Sequence, residues 1–110
     1  MNIIDGSMLQ LDLKIVQSRI SSKEVLVAES QTSILGILVS TGTTIETIAV
    51  RSQRRHQGIG SLLVKTAAKK SDEPLVAEFD QTSLQFYQKL GFSITSTIEG
   101  RYAGSYQLSD

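Results

Sequence analysis

The sequence predicts an α/β domain with a mixed, mostly antiparallel central sheet flanked by helices. Three features carry that expectation. Between residues 24 and 50, three β-branched apolar runs are separated by two turn-sized polar segments, as in an antiparallel meander. At Ile59 the apolar spacing changes to that of a helix face. The strand–helix–strand span from residue 44 to 79 is long enough for a parallel crossover, which makes the sheet mixed.

The expected order is α, βββ, α, β, α, ββ. In the first twenty residues Leu9, Leu13, Val16 and Ile20 share a helical face, with Asp5 or Ser7 as N-cap. Leu9, Leu11, Leu13 and Ile15 also alternate, which would suit a strand; helix is the favoured reading. Glu24–Ser30, Ile34–Thr41 and Thr44–Val50 are the three meander strands. Ile59, Leu62, Leu63, Thr66 and Ala67 form a helix face that runs to about Lys70. Pro74 follows, and it biases the residue before it to extended geometry. Leu75–Phe79 is a strand and Thr82–Leu90 a short helix with Leu84 and Tyr87 inward. Gly91 stands where a helix C-terminus favours left-handed geometry. Phe92–Ile98 and Tyr102–Leu108 alternate well enough for a closing hairpin.

Composition narrows the function. The chain has 110 residues, a length for one domain over 1–110. Lys+Arg and Asp+Glu both number 11, and this zero net charge argues against a general nucleic-acid binder. The absence of Cys excludes disulfide scaffolds and thiol catalysis. Apolar runs are far shorter than the ~18 residues of a membrane span. The first residues lack the basic and apolar regions of a secretory signal, so a cytoplasmic location is expected.

The charge distribution is more informative than its sum. No acidic residue stands between Glu46 and Asp72, whereas Arg51, Arg54, Arg55, Lys65, Lys69 and Lys70 do. A helix N-terminus ordinarily recruits Asp or Glu; this one opens on Gly58, Ile59, Gly60 and Ser61, after Arg54-Arg55-His56-Gln57. Free first-turn amides, a positive dipole end and small residues beside arginines describe an anion site. No Lys-Ser/Thr follows the glycines as a P-loop requires, and Leu63 stands where a dinucleotide fingerprint needs its third Gly. A pyrophosphate across the amides of residues 55 to 60 remains, beside a plain glycine-rich helix start.

Ile48-Ala49-Val50, four residues, then Arg55-His56-Gln57-Gly58-Ile59-Gly60 resembles the coenzyme A signature of the GNAT superfamily of N-acetyltransferases. Residues 77–92, AEFDQTSLQFYQKLGF, resemble its second signature, in the family's order and at roughly its spacing. The resemblance covers about residues 24–108. It implies a GNAT-like sheet in which the parallel strands Thr44–Val50 and Leu75–Phe79 splay apart. Family members carry a first strand and two helices ahead of their second strand, walling the acceptor site; here 23 residues stand there, implying an abbreviated front.

By resemblance, acetyl-CoA is the acetyl donor and an amine of unspecified identity attacks it directly. The main chain of Ile48, Ala49 and Val50 would pair with the pantetheine arm, and the Val50 N–H would polarise the thioester carbonyl. Arg55, His56, Gln57, Gly58, Ile59, Gly60 and Ser61 would hold the pyrophosphate. Arg51, Arg54 or a helix lysine would meet the 3′-phosphate. Tyr87 is the family's usual general acid; as a plain residue it is a core aromatic. Phe86, Phe92 and Leu90 read as packing and Lys89 as solvated. Asp80 stands near a position where the family often has Asn. Glu78 and Glu46 are the two candidate bases, on the strands flanking the splay, or else strand residues facing solvent. No metal, nucleic acid or membrane partner is expected. A homodimer that completes the short acceptor half is an open expectation. Two rivals stand beside this: a coenzyme A-binding module that no longer transfers acetyl groups, and a nucleotide-binding domain using the same basic loop.

Overall fold

A computed structural model of the chain describes residues 13–51 and 58–108. Seven strands form one sheet in the order β1-β2-β3-β4-β5-β7-β6. They are β1 Lys14–Ile20, β2 Lys23–Glu29, β3 Ile34–Thr41, β4 Thr44–Val50, β5 Leu75–Asp80, β6 Ser93–Ser96 and β7 Arg101–Tyr106. Every pairing is antiparallel except β4 with β5. Helix α1 spans Ile59–Lys69; a 3₁₀ turn over Gln81–Ser83 leads into helix α2, Leu84–Leu90.

The first element corrects the expected helix. Lys14–Ile20 is a strand, in register with β2 from Lys14↔Glu29 to Ile20↔Lys23. Its β-branched residues suit the pleat, and the two-residue connection Ser21-Ser22, with Ser21 at φ 56, returns the chain directly. The helical spacing of Val16 and Ile20 loses to a continuous ladder, and Ile20 ends 64% exposed. The rest of that expected helix lies outside the described residues. So a strand precedes β2, joined to it by two residues, in keeping with the abbreviated front expected here.

Core residues lie on one face. Leu26 and Ala28 of β2, Leu38 of β3, and Leu75, Ala77 and Phe79 of β5 are buried with Ile59, Leu63, Val64 and Ala68 of α1. The α1 face is turned toward Val64 and Ala68, while Leu62 and Thr66 are half-buried and the Thr66 hydroxyl donates to the Leu62 carbonyl. Gly36 in β3 is where helix and sheet approach closest: a Cβ there would stand 3.0 Å from Ile59 Cγ2 and 3.1 Å from the Ala49 carbonyl oxygen. Helix α2 packs beside α1, and its Tyr87 ring stacks on Phe79. The opposite sheet face carries Ile37, Ala49, Val76 and Glu78, half-buried or exposed. Among the described residues both helices lie on the first face.

Candidate functional site

Helix α1 opens without a side-chain cap. Gly58 occupies the N-cap position in left-handed geometry, φ 82, and its carbonyl accepts the Leu62 N–H at 2.9 Å. The N–H groups of Ile59, Gly60 and Ser61 have no intrahelical acceptor, and the first turn holds no acidic residue. Gly60 is small because α2 is near: a Cβ would lie 3.1 Å from Leu90 Cδ2.

Between this turn and α2 runs a cleft of about 390 Å³. Val50, Gly58, Ile59, Gly60 and Ser61 form one wall, and Thr82, Gln85, Phe86, Lys89 and Leu90 the other. Five of the expected donor-site residues therefore meet; Ile48 and Ala49 are not on its wall, and Arg55, His56 and Gln57 lie outside the described residues. The sequence reading missed the α2 wall. Its signal was available: residues 82, 85, 86 and 89 recur at helical spacing on one side of the Tyr87 face. Lys89, exposed as expected, is the one cation among the described residues lining the cleft.

Strands β4 and β5 pair at Thr44↔Val76, where the Val76 N–H donates to the Thr43 carbonyl at 2.9 Å, and at no later position. The expected splay is therefore present. A bulge in β4 helps open it: Ile45 opposes Ser40 and Thr47 opposes Val39, leaving Glu46 as the extra residue. Such an insertion bends its strand and strengthens the twist. The end of β4 is fastened to β3, since the Arg51 N–H donates to the Leu35 carbonyl at 2.8 Å and its Nε to the Ile34 carbonyl at 3.0 Å. Backbone groups alternate along a strand, so with Arg51 aimed at β3, the N–H and C=O of Val50 and Ile48 face the gap.

Tyr87 is 7% exposed and enclosed by aromatic rings. Phe79 stacks on it at 4.2 Å between centroids, and Phe92 and Phe86 meet it edge-on at 5.1 and 5.4 Å. Its hydroxyl has no hydrogen-bond partner among the described residues, and burial pushes the phenol pKa above its ordinary value of 10.0. Tyr87 does not line the cleft.

The two carboxylates sit on the other face of the sheet. Glu46 and Glu78 line a second cleft, about 790 Å³, that crosses from β4 to β6 beside the point where β4 and β5 part. Glu46 Oε1 lies 2.6 Å from Lys23 Nζ, and the Thr41 hydroxyl donates to Oε2 at 2.7 Å. These bonds hold its carboxyl below the usual carboxylate range, the Lys23 bond contributing most. Glu78 is exposed and makes no ion pair among the described residues. Asp80 caps the 3₁₀ turn, accepting from the Thr82 hydroxyl and N–H; those two bonds lower its pKa. The sheet thus separates the Tyr87 side from the carboxylate side.

A model of the acetyltransferase (GNAT) domain matches residues 21–94. No curated protein matches the chain. Among solved structures, a Bacillus anthracis protein assigned as a streptothricin acetyltransferase, in complex with acetyl coenzyme A, superposes with a TM-score of 0.65 at 17% identity, over 91% of this chain and 86% of that one. A Bacillus subtilis acetyltransferase in complex with CoA gives 0.64 at 17% identity, over 88% and 99%. The Campylobacter jejuni N-acetyltransferase PseH in complex with acetyl coenzyme A gives 0.58 at 20%, over 82% and 71%. These likenesses are of fold. With the domain model matched over most of its length, and with the parted parallel strands and uncapped helix start, the chain belongs to the GNAT acetyltransferase family.

Proposed function

We propose that the protein transfers an acetyl group from acetyl-CoA to an amine by direct attack. The observation that carries this reading is the parting of β4 and β5 after a single pair, with a cleft on each side. The backbone groups of Ile48 and Val50 facing the gap suit a pantetheine arm added as a strand, with Ala49 between them, and the Val50 N–H suits the thioester carbonyl. The amides of Ile59, Gly60 and Ser61, which follow Gly58 and have no acceptor within the helix, suit the diphosphate, with Arg55, His56 and Gln57 preceding them and Lys89 as counter-charge across the cleft. This fits acetyl-CoA better than ATP, because its long arm requires an open strand edge beside the phosphate site.

Acetyl-CoA supplies the acetyl group as a thioester. The amine nitrogen bonds to its carbonyl carbon, the C–S bond breaks, the nitrogen loses one proton and the departing sulfur gains one. A lysine-like ammonium, pKa ~10.4, costs roughly 4–5 kcal/mol to deprotonate at pH 7. Glu78 takes that proton: it is free of ion pairs among the described residues, whereas Glu46 is held ionised by Lys23 and Thr41, which weakens it as a base. Tyr87 is the acid. Burial keeps its phenol protonated, the state a donor requires. The same burial penalises the phenolate, so the Tyr87 proton must be replaced as it leaves.

The test is release of free thiol from acetyl-CoA by purified protein with a panel of primary amines. Amine-dependent release is expected. Binding of acetyl-CoA with no release for any amine would instead establish the non-catalytic module, and equal affinity for ATP and acetyl-CoA would establish the nucleotide-binding rival.

A further inference from the structure

We infer that the acceptor is an amine carrying a second cationic group, of the short alkyl-diamine class; the inference rests on the acetyl-transfer reading above. It starts from the chemistry of the cleft on the carboxylate side, about twice the volume of the donor cleft. That space exceeds the needs of a single attacking nitrogen. Its charged lining residues are Glu46 and Glu78, and its other polar side chains are the hydroxyls of Thr44, Ser93, Thr95 and Ser105. Hydroxyls accept hydrogen bonds from ammonium groups readily, no cation is among the described residues lining the cleft, and Lys23 beside it is engaged by Glu46.

The two acids are not equivalent. Counting two residues on from Thr44↔Val76 reaches Glu46 on β4 and Glu78 on β5, just beyond the last pair. The strands no longer pair there, so the two positions are farther apart than the ~4.8 Å of paired strands, a span that suits two ammonium groups joined by an alkyl chain. Glu78 takes the proton from the nitrogen that forms the new N–C bond. Glu46, fixed by Lys23 and Thr41, stays charged throughout and faces the distal ammonium, which remains protonated. With Lys23 engaged by Glu46, Glu78 leaves the described lining net negative, and an amine with a carboxylate at its far end would bring like charge into it.

The experiment compares thiol release with 1,4-diaminobutane, butylamine and 4-aminobutanoate under saturating acetyl-CoA. The diamine is expected to exceed butylamine in kcat/KM by about tenfold, the scale of one charge-assisted contact, and the amino acid to be the poorest. Glu46→Gln should bring the diamine-to-butylamine ratio toward one, mainly through the diamine KM. Lys23→Met, which removes the lysine competing for Glu46, should widen the ratio and keeps the test open if Glu46→Gln does not fold. Equal kcat/KM for diamine and butylamine, or preference for the amino acid, overturns the diamine class and leaves acetyl transfer standing. No turnover of any amine while calorimetry still shows acetyl-CoA binding overturns acetyl transfer, and the diamine class with it.

Discussion

Replacing Gly36 with Ala tests whether the sheet sets the position of the donor site. A Cβ on Gly36 would stand 3.0 Å from Ile59 Cγ2, 3.1 Å from the Ala49 carbonyl oxygen and 3.2 Å from Leu63 Cδ1. The Ala49 carbonyl belongs to β4, held in register with β3, so the Cβ can move only away from it, against Ile59 and Leu63, and α1 must lift. Overpacking of this kind costs about 1–3 kcal/mol, and the lower entropy of the unfolded alanine chain returns about 0.4–1. The net loss is about 1–2 kcal/mol. For 110 residues the unfolding entropy is about 0.23 kcal/mol/K, so the melting temperature should fall by about 4–9 °C. Because Ile59 begins α1 and lines the donor cleft, acetyl-CoA affinity should fall as well. Gly100→Ala is the control: its φ of 78 strains an alanine, yet it lies in the β6–β7 turn, so stability should drop with affinity unchanged. Thermal melts and acetyl-CoA titrations of both variants decide the matter. An unchanged melting temperature for Gly36→Ala, or a lower one with full affinity, refutes the coupling of sheet to donor site.

Three further outcomes are expected. Tyr87→Phe keeps the stack on Phe79 and removes a hydroxyl with no partner among the described residues, so stability and acetyl-CoA affinity should hold while kcat falls by about 10²–10⁴; wild-type turnover would end the acid assignment. Lys89→Met should weaken acetyl-CoA binding about tenfold at low salt, less at high salt, with stability within about 0.5 kcal/mol; an affinity loss indifferent to salt would contradict a phosphate contact. The Tyr87 pKa is raised on folding, so its contribution to stability is whole below the ordinary value of 10.0 and lost as pH rises through the raised one. Denaturant midpoints at pH 9 and 11 should therefore drop more for wild type than for Tyr87→Phe, and parallel drops would exclude burial as the cause.

Local pattern was enough for much of this protein. Ile34–Thr41 and Thr44–Val50 coincide with the expected strands, because β-branched runs bounded by turn residues have few alternatives. The uncapped start of α1 was also legible, since Gly58 and Gly60 are uncommon openings for a helix and the lack of a nearby acid is a property of the string itself. What the string could not hold were partners distant in sequence. Lys14–Ile20 is compatible with two periods, and only the exposed edge of β2 selects the strand. Glu46 reads as an alternating strand residue until the register with β3 makes it a bulge, and nothing local aligns it with Glu78. Lys89 enters the donor cleft because α1 and α2 pack side by side. Sequence spacing determines which residues share a face of one element. Which faces meet across a sheet, and on which side of it each charge falls, is decided by pairings between segments far apart in the chain.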